Sequence, residues 1–223
     1  MPERFVPNLD ILPEGQKTLW YELDATPRDF VMYGGTALAL RLGHRTSVDF
    51  DFFSNLSFDP EVLYAAIPYL RGAVVQQMAP NTLTCSVDRG GPVQVSFFGG
   101  LALNRVADPD EADGAGIAVA SLLDVGAAKA RVVVARPSWK DYVDMDAILK
   151  AGEPLARVLC AAIALYGPPY SPLLTLKALT FYDDLGDEVR EDVRARLRAA
   201  VAGVRPEELR ALPVAAGVKG AAA

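Results

Sequence analysis

Cysteine, histidine and long apolar runs are all scarce in this sequence, and each shortage excludes a class of protein. The 223 residues include two cysteines and one histidine, too few for a zinc site or a disulfide framework. The most apolar stretch, Leu155 to Leu165, contains Arg157 and is too short to cross about 30 Å of hydrocarbon. The first five residues have charges of both signs and no apolar run behind them, unlike a secretory signal. We therefore expect a cytoplasmic protein with no membrane span.

Basic residues are also in deficit. There are 22 lysines and arginines against 28 aspartates and glutamates, which gives a net charge of −6. Non-specific binding of nucleic acid depends on clustered basic side chains, so any contact with RNA must be local. Hydrophobic residues make up 51% of the chain and charged residues 22%, the profile of a compact globular protein.

The hydrophobic pattern changes near residue 120. Before that point, short alternating segments bounded by glycine and proline predict strands, with a few helices between them. Beyond it, the pattern predicts helices only. The predicted strands are 30–33, 48–53, 73–77, 83–87, 93–98 and 116–119, and the predicted helices are 12–23, 36–42, 59–70, 121–135, 138–150, 153–165, 171–185 and 187–202. The sequence thus predicts an α+β fold with an α/β core over residues 1–120 and a mainly helical region over 121–223.

Two aspartates stand two residues apart in the predicted strand 48–53. The period of two sends Val48, Phe50 and Phe52 to one face and Asp49 and Asp51 to the other. Their carboxylates would repel each other, and a divalent cation would relieve the repulsion. Mg²⁺ favours one or two protein carboxylates together with substrate phosphates. The pair therefore fits a metal site, although an edge strand with a solvated polar face would show the same pattern.

A glycine turn precedes the helix that leads into this strand. Gly34, Gly35 and Thr36 lie between a predicted strand and a predicted helix, where backbone N–H groups and the helix dipole attract a phosphate. Thr36 would cap the helix and could turn its hydroxyl towards a phosphate oxygen. Glycines before a helix also occur as plain turn residues. The functional interpretation of the turn gains weight because the same short segment contains a phosphate cradle and a carboxylate pair.

The whole run from Gly34 to Phe53, GGTALALRLGHRTSVDFDFF, resembles the signature of the AbiEii/AbiGii nucleotidyltransferase family. This family belongs to the polymerase-β-like nucleotidyltransferases, and its members include toxins of type IV toxin–antitoxin and phage-defence systems, among them the MenT toxins. The resemblance implies a mixed β-sheet that carries the metal-binding aspartates and is followed by helices. It also implies Mg²⁺ (or Mn²⁺) as cofactor and a nucleoside triphosphate as substrate.

Basic residues gather at the end of the helix that follows the turn. Arg41, His44 and Arg45 lie where they would interact favourably with the C-terminal helix dipole. For Arg45, contact with a nucleotide phosphate is an equal alternative. A lone histidine gives no reason to assign His44 a metal or acid–base role.

A lysine lies within the apolar stripe of the predicted helix 121–135. Lys129 is four residues after Val125 and four before Val133, and Arg136 follows on the same side. An inward lysine without an anion is costly, so it either extends its ammonium to water or meets a negative partner such as a triphosphate. Together with the family resemblance, the pattern favours the ligand.

The span from Asp124 to Leu149 resembles the second conserved block of the same family. There a helical lysine precedes a segment with the spacing of Lys140, Asp141 and Asp144. The resemblance implies that Lys129 contacts nucleotide phosphates and that Asp141 completes the acidic site, with Asp144 as the alternative. A capping box of Ser138 and Asp141 is the structural explanation of the same pattern. The chain departs from many polymerase-β-like enzymes because its strand 93–98 contains no third carboxylate.

The predicted activity is transfer of a nucleoside monophosphate from a triphosphate to an acceptor hydroxyl. Family resemblance favours the 3′ end of an RNA, particularly tRNA, as acceptor and a separately encoded antitoxin as partner. Two alternatives remain. A small molecule or a protein hydroxyl would serve as acceptor without an extended basic surface, and a degenerate module would bind a nucleotide or partner without turnover. The intact pair of Asp49 and Asp51 argues against the second.

Overall fold

The computed structural model describes residues 4–136 and 138–215. These residues form two compact units, each with its own core. The first contains the described residues up to Leu103 together with Asp108–Ser121, and the second contains Asn104–Ala107 and the described residues from Leu122 onwards. Within the described ranges, no helix combines the length and the hydropathy that crossing a membrane requires.

The first unit is built on a mixed eight-stranded sheet with the strand order β1-β7-β8-β2-β3-β6-β5-β4. Both parallel and antiparallel neighbours occur: β3 is antiparallel to β2 and parallel to β6. The strands are Arg4–Phe5 (β1), Val31–Tyr33 (β2), Asp49–Phe53 (β3), Val74–Ala79 (β4), Thr82–Asp88 (β5), Pro92–Phe98 (β6), Asp110–Ala112 (β7) and Ala118–Val119 (β8).

Three α-helices accompany this sheet: Glu14–Trp20 (α1), Gly34–Leu42 (α2) and Pro60–Ala66 (α3). The helix α1 packs against β6, and the ring of Trp20 contacts that of Phe50 with centroids 6.4 Å apart. Phe50, Phe52, Val95 and Phe97 are fully buried on this face of the sheet, which we call the apolar face. Burial of each such side chain contributes about 1.5–3 kcal/mol.

The second unit is helical. Its helices are Leu122–Ala135 (α4), Trp139–Lys150 (α5), Leu155–Tyr166 (α6), Pro172–Ala178 (α7) and Glu191–Ala202 (α8). The helix α4 packs against α5, α6 and α7, and α8 packs against α5. Gly126 on α4 packs against α6, where a β-carbon would lie 3.4 Å from Val158, about an ordinary van der Waals distance.

A buried aspartate joins α5 to α8. Asp146 is 3% exposed and accepts hydrogen bonds from Arg196 Nε (2.6 Å) and Nη2 (3.0 Å), while Lys150 lies 2.7 Å away. Burial raises the pKa of the Asp146 carboxyl, but the hydrogen bonds from Arg196 and Lys150 outweigh burial and hold the pKa below its usual range. The carboxylate therefore stays ionised, and the cluster fixes the two helices against each other.

The α+β class and the mixed sheet predicted from the sequence are confirmed. The helix α2 begins two residues earlier than predicted, and Gly43 closes it in the left-handed conformation (φ +61°) as expected. The short strands β1 and β7 were not predicted. The predicted helix 171–185 is wrong in extent, because α7 ends at Ala178 and a 3₁₀ helix follows over Asp183–Glu188.

Candidate functional site

The two aspartates of β3 share one face of the sheet. Asp49 and Asp51 are partly exposed. Phe50, which lies between them, and Phe52, which follows Asp51, are fully buried. This alternation is the one the sequence predicts. Val48 lies before the strand and is 41% exposed, so its predicted place on the apolar face is wrong. We call the face that carries the aspartates the polar face.

Uncharged polar side chains continue the polar face on the next strand. Asp49 is paired with Gln94 and Asp51 with Ser96 across β3 and β6, so no carboxylate occupies the neighbouring positions. Among the described residues, no group of three or more aspartates, glutamates, histidines or cysteines is placed to hold a metal ion. A site of two carboxylates still suits Mg²⁺, which completes its octahedron with water and substrate phosphates.

The glycine turn lies directly against one of the carboxylates. Tyr33 at the end of β2 is paired with Asp51, and the next residue, Gly34, has a φ of +79°. A β-carbon on Gly34 would stand 2.9 Å from Asp51 Oδ2. Glycine is required here both for the left-handed backbone and for the close approach. The turn and the carboxylate pair, predicted separately from the sequence, are therefore contiguous.

The second glycine of the turn faces a guanidinium. A β-carbon on Gly35 would overlap Nη2 of Arg45 and would lie 3.3 Å from Ser47 Oγ. Arg45 is partly exposed and also donates from Nη1 to the Thr46 carbonyl at 3.0 Å. A positive side chain thus lies at the positive end of the dipole of α2, the end that attracts anions.

Thr36 does not cap α2. The helix begins at Gly34, so Thr36 lies inside the first turn and is 2% exposed. Its hydroxyl donates to the Asp49 carbonyl at 2.5 Å and lies 2.8 Å from Ser47 Oγ. The expected capping role is wrong, because the side chain instead ties the helix to the beginning of β3. Its expected contact with a phosphate stays a prediction.

Arg41 does not belong to the basic spot predicted with His44 and Arg45. Its guanidinium donates to the carbonyls of Val119 and Ala120 at 2.8–3.1 Å and pairs with Asp110 at 2.8 Å. Burial lowers the pKa of Arg41, and the ion pair with Asp110 opposes this change. The side chain therefore holds α2 to the strands β7 and β8.

Lys129, in the second unit, is 9% exposed and has two anionic partners within that unit. Its Nζ lies 2.8 Å from Asp141 Oδ1 and 2.6 Å from Asp144 Oδ2. Asp141 is 6% exposed and Asp144 is fully buried. The lysine is buried as expected, but it does not need an external anion because two carboxylates of its own unit contact it. Its contact with nucleotide phosphates stays a prediction.

The surroundings of this triad differ from the predicted pattern in two other ways. Arg136, predicted to point inward with Lys129, is exposed. Ser138 precedes α5 but makes no side-chain capping bond, and the carboxylate of Asp141 contacts Lys129 instead. The Asp141 spacing that resembled a capping box thus reflects an ion pair between helices.

Comparison with known protein families covers all the site residues described above. Residues 19–213 match the family described as "Nucleotidyl transferase AbiEii toxin, Type IV TA system". This span includes the glycine turn, the carboxylate pair and the lysine triad. The chain belongs to the AbiEii family. It is accordingly a nucleotidyltransferase, the toxin of a type IV toxin–antitoxin system, and this membership implies a nucleotide substrate and an antitoxin partner.

Individual relatives of this AbiEii protein are distant. An uncharacterized protein of Aquifex aeolicus (strain VF5) is 28% identical over 167 residues, which cover 74% of this chain and 79% of the relative. A crystal structure of a candidate nucleotidyltransferase from Helicobacter pylori has a TM-score of 0.52 at 16% identity and covers 84% of this chain and 92% of its own. The structure of JHP933 from Helicobacter pylori has a TM-score of 0.50 at 17% identity, covering 85% and 88%. These two likenesses support the fold.

Ser47 is the site residue that the sequence analysis left without a role. It is 8% exposed and lies between the glycine turn and Asp49, beside Thr36 and Gly35. A signal was available, since Ser47, Asp49 and Asp51 follow one another at intervals of two residues. The strand begins only at Asp49, which explains why the alternation alone did not reveal it.

Replacing Gly35 by alanine is expected to weaken binding of a triphosphate by about 10- to 100-fold, because the methyl group displaces the Arg45 guanidinium and a hydrogen bond to a charged group is worth about 1.5–3 kcal/mol. The melting temperature should change little, since the tip of Arg45 can move. Calorimetric titration with Mg²⁺ and a non-hydrolysable triphosphate measures the effect. Gly203→Ala is the matched control, because its β-carbon would make only ordinary contacts at 3.6 Å or more. Equal affinity in both variants would show that the turn has no part in binding.

Proposed function

We propose that this AbiEii protein transfers a nucleoside monophosphate from a Mg²⁺-bound triphosphate to an acceptor hydroxyl, and that the acceptor is the 3′ end of an RNA, particularly tRNA. The contact between Gly34 and Asp51 supports the proposal most directly, because it brings the phosphate-binding end of α2 to the carboxylate pair. A nucleotide bound at the turn would carry its phosphates to Asp51.

The site residues of the first unit would each have a definite role in this reaction. Asp49 and Asp51 would hold the ion, which when bound neutralises charge on the phosphates. The start of α2 and Arg45 would bind the outer phosphates and so orient the leaving pyrophosphate. The acceptor oxygen forms a bond to the α-phosphorus, the bond from that phosphorus to the pyrophosphate oxygen breaks, and the hydroxyl proton passes to solvent. Positioning and charge stabilisation supply most of the rate in reactions of this kind.

Labelled triphosphates test the proposal. The purified full chain is incubated with each of four α-labelled nucleoside triphosphates, Mg²⁺ and total cellular RNA, and the products are separated into RNA, protein and small-molecule fractions. We expect the RNA fraction to become labelled. Ribonuclease should release this label, and chelation of Mg²⁺ should prevent the labelling. A γ-labelled triphosphate should leave the RNA unlabelled.

The other fractions decide between the acceptors. Label found only in protein or in a small molecule would reject RNA and retain nucleotidyl transfer, an outcome compatible with the net charge of −6. Absence of label from every fraction with all four triphosphates would reject transfer itself.

A further inference from the structure

Three aromatic rings lie together on the polar face of the sheet. The rings of Tyr33 and Phe53 are stacked, with centroids 5.2 Å apart and an interplanar angle of 16°. The ring of Phe98 meets that of Phe53 edge-on at 5.4 Å. Tyr33 is 5% exposed, whereas Phe53 and Phe98 remain partly exposed. We call these three residues the aromatic platform.

Phe53 and Phe98 differ in burial from the rings on the opposite face of β3 and β6. The same two strands place Phe52 and Phe97 on the apolar face, where the rings stack at 5.3 Å and are fully buried. The polar face carries aspartate, glutamine and serine at the preceding positions of β3 and β6. Partly exposed rings among polar groups are typical of surfaces that bind flat ligands.

The platform begins one step beyond the carboxylates. Phe53 follows Asp51 by two residues on the same strand, which places their Cα atoms about 6.6 Å apart. Phe98 is paired with Phe53, just as Ser96 is paired with Asp51. The aromatic platform is thus continuous with the carboxylate pair along the polar face.

The phosphate-binding end lies in the opposite direction along β3. Gly34 meets Asp51, and Thr36, further along α2, meets the carbonyl of Asp49. Gly35 faces Arg45 and Ser47, which precede the strand. From the carboxylates, the anion-attracting groups therefore extend towards the beginning of β3 and the platform extends towards its end.

In phosphoryl transfer the attacking and leaving oxygens are roughly in line with the phosphorus. A pyrophosphate that leaves towards Arg45 requires an acceptor on the side of Phe53. We infer that the aromatic platform stacks the terminal nucleobase of the acceptor strand and so positions its hydroxyl. This inference rests on the proposed function, and it assigns Phe53 and Phe98 to acceptor binding.

A double-mutant cycle tests the inference without turnover. The full chain, with Mg²⁺ and a non-hydrolysable triphosphate, is titrated into two 5′-fluorescent oligoribonucleotides, one intact and one lacking only its 3′-terminal base. The wild type is expected to bind the intact strand about tenfold more tightly, which corresponds to about 1.4 kcal/mol and lies within the range for base–aromatic stacking. Phe98→Leu should bind both strands equally and with the wild-type affinity for the abasic strand.

Two further variants separate stacking from general damage. Phe98→Trp keeps an aromatic ring and should keep the preference for the intact strand. Tyr21→Leu removes a 63% exposed ring that follows α1 in the same unit and should leave the preference unchanged. Equal binding of both strands by the wild type, or an undiminished preference in Phe98→Leu, would overturn the inference.

A second titration distinguishes the acceptor base from the base of the incoming nucleotide. If Phe98→Leu loses affinity for the triphosphate analogue but not for inorganic tripolyphosphate, the platform holds the incoming base and the acceptor assignment is rejected. Failure of the proposed function gives a different result, because the wild type would then place no label in RNA while the strand preference still depends on Phe98. If the wild type transfers label to RNA but does not prefer the intact strand, only the role of the aromatic platform is rejected.

Discussion

Replacement of Asp49 or Asp51 by asparagine is expected to abolish nucleotide transfer, with a loss of about 10³-fold or more, while the fold is kept. Each substitution removes one charge from the proposed ion site without changing the volume of a side chain on the polar face. Loss of charge stabilisation of this kind costs at least as much as loss of a single oxyanion donor, about 10²- to 10³-fold. Transfer of α-label at saturating triphosphate measures the effect.

The stability of the same variants separates a binding role from a structural one. Like charges separated by the Cα spacing of about 6.6 Å repel by about 2.5 kcal/mol at an effective dielectric constant of about 20. Without metal, each variant should therefore be at least as stable as the wild type. Asp59→Asn is a matched control in the same unit, since Asp59 caps α3 and asparagine caps equally well. Transfer within threefold of wild type in either site variant, or a clear fall in its melting temperature, would contradict the assignment.

Replacement of Lys129 by methionine is expected to destabilise the protein by about 3–5 kcal/mol, because removing one member of a buried ion pair leaves its partners uncompensated. An inward lysine without an anion would be costly, but the structure gives Lys129 two carboxylate partners. Here methionine would remove the ammonium that contacts Asp141 and Asp144, which are 6% and 0% exposed. Urea denaturation at neutral pH measures the difference in the free energy of unfolding.

Two companion variants make this result interpretable. Removing the fully buried carboxylate as well, in Lys129→Met/Asp144→Leu, should recover at least half of the lost stability. Lys140→Met removes an exposed lysine from α5 and should change stability by no more than about 0.5 kcal/mol. A Lys129→Met protein as stable as wild type would show that the ion pairs do not stabilise the fold. Its transfer activity then tests the phosphate contact implied by family resemblance.

Strong local patterns made much of the first unit predictable. The alternation around Asp49 and Asp51 placed both carboxylates on one face, and Gly43 marked where α2 ends, whereas the helix begins two residues before its predicted start. The strands β1 and β7 have two and three residues, too few for any period to show. Their pairing depends on contacts distant in sequence, such as that of Arg4 with Glu111, which no local window contains.

The partners of Lys129 could not be predicted from local sequence patterns for a similar reason. The pattern correctly placed the lysine inside the stripe of α4, but its anions lie on a different helix. Asp141 and Asp144 are three residues apart and therefore share one face of α5, so the spacing carried a signal. Interpreting Asp141 as part of a capping box obscured that signal. Which acidic residue meets which cation is decided by helix packing and not by spacing along the chain.

The route of the chain between its two units limits how the protein can be divided. Asn104–Ala107 belongs to the second unit, although strands of the first unit precede and follow it in sequence. The buried carboxylate of Asp124 accepts hydrogen bonds from the backbone of Val106 at 2.8 Å and Ala107 at 3.3 Å. A fragment that begins at Leu122 would lack the two backbone amides that donate to this carboxylate. The fragment that begins at Leu122 lacks Asn104–Ala107 and is not a complete folding unit, so co-expressed fragments would have to reassemble before the helical half could reach its native stability.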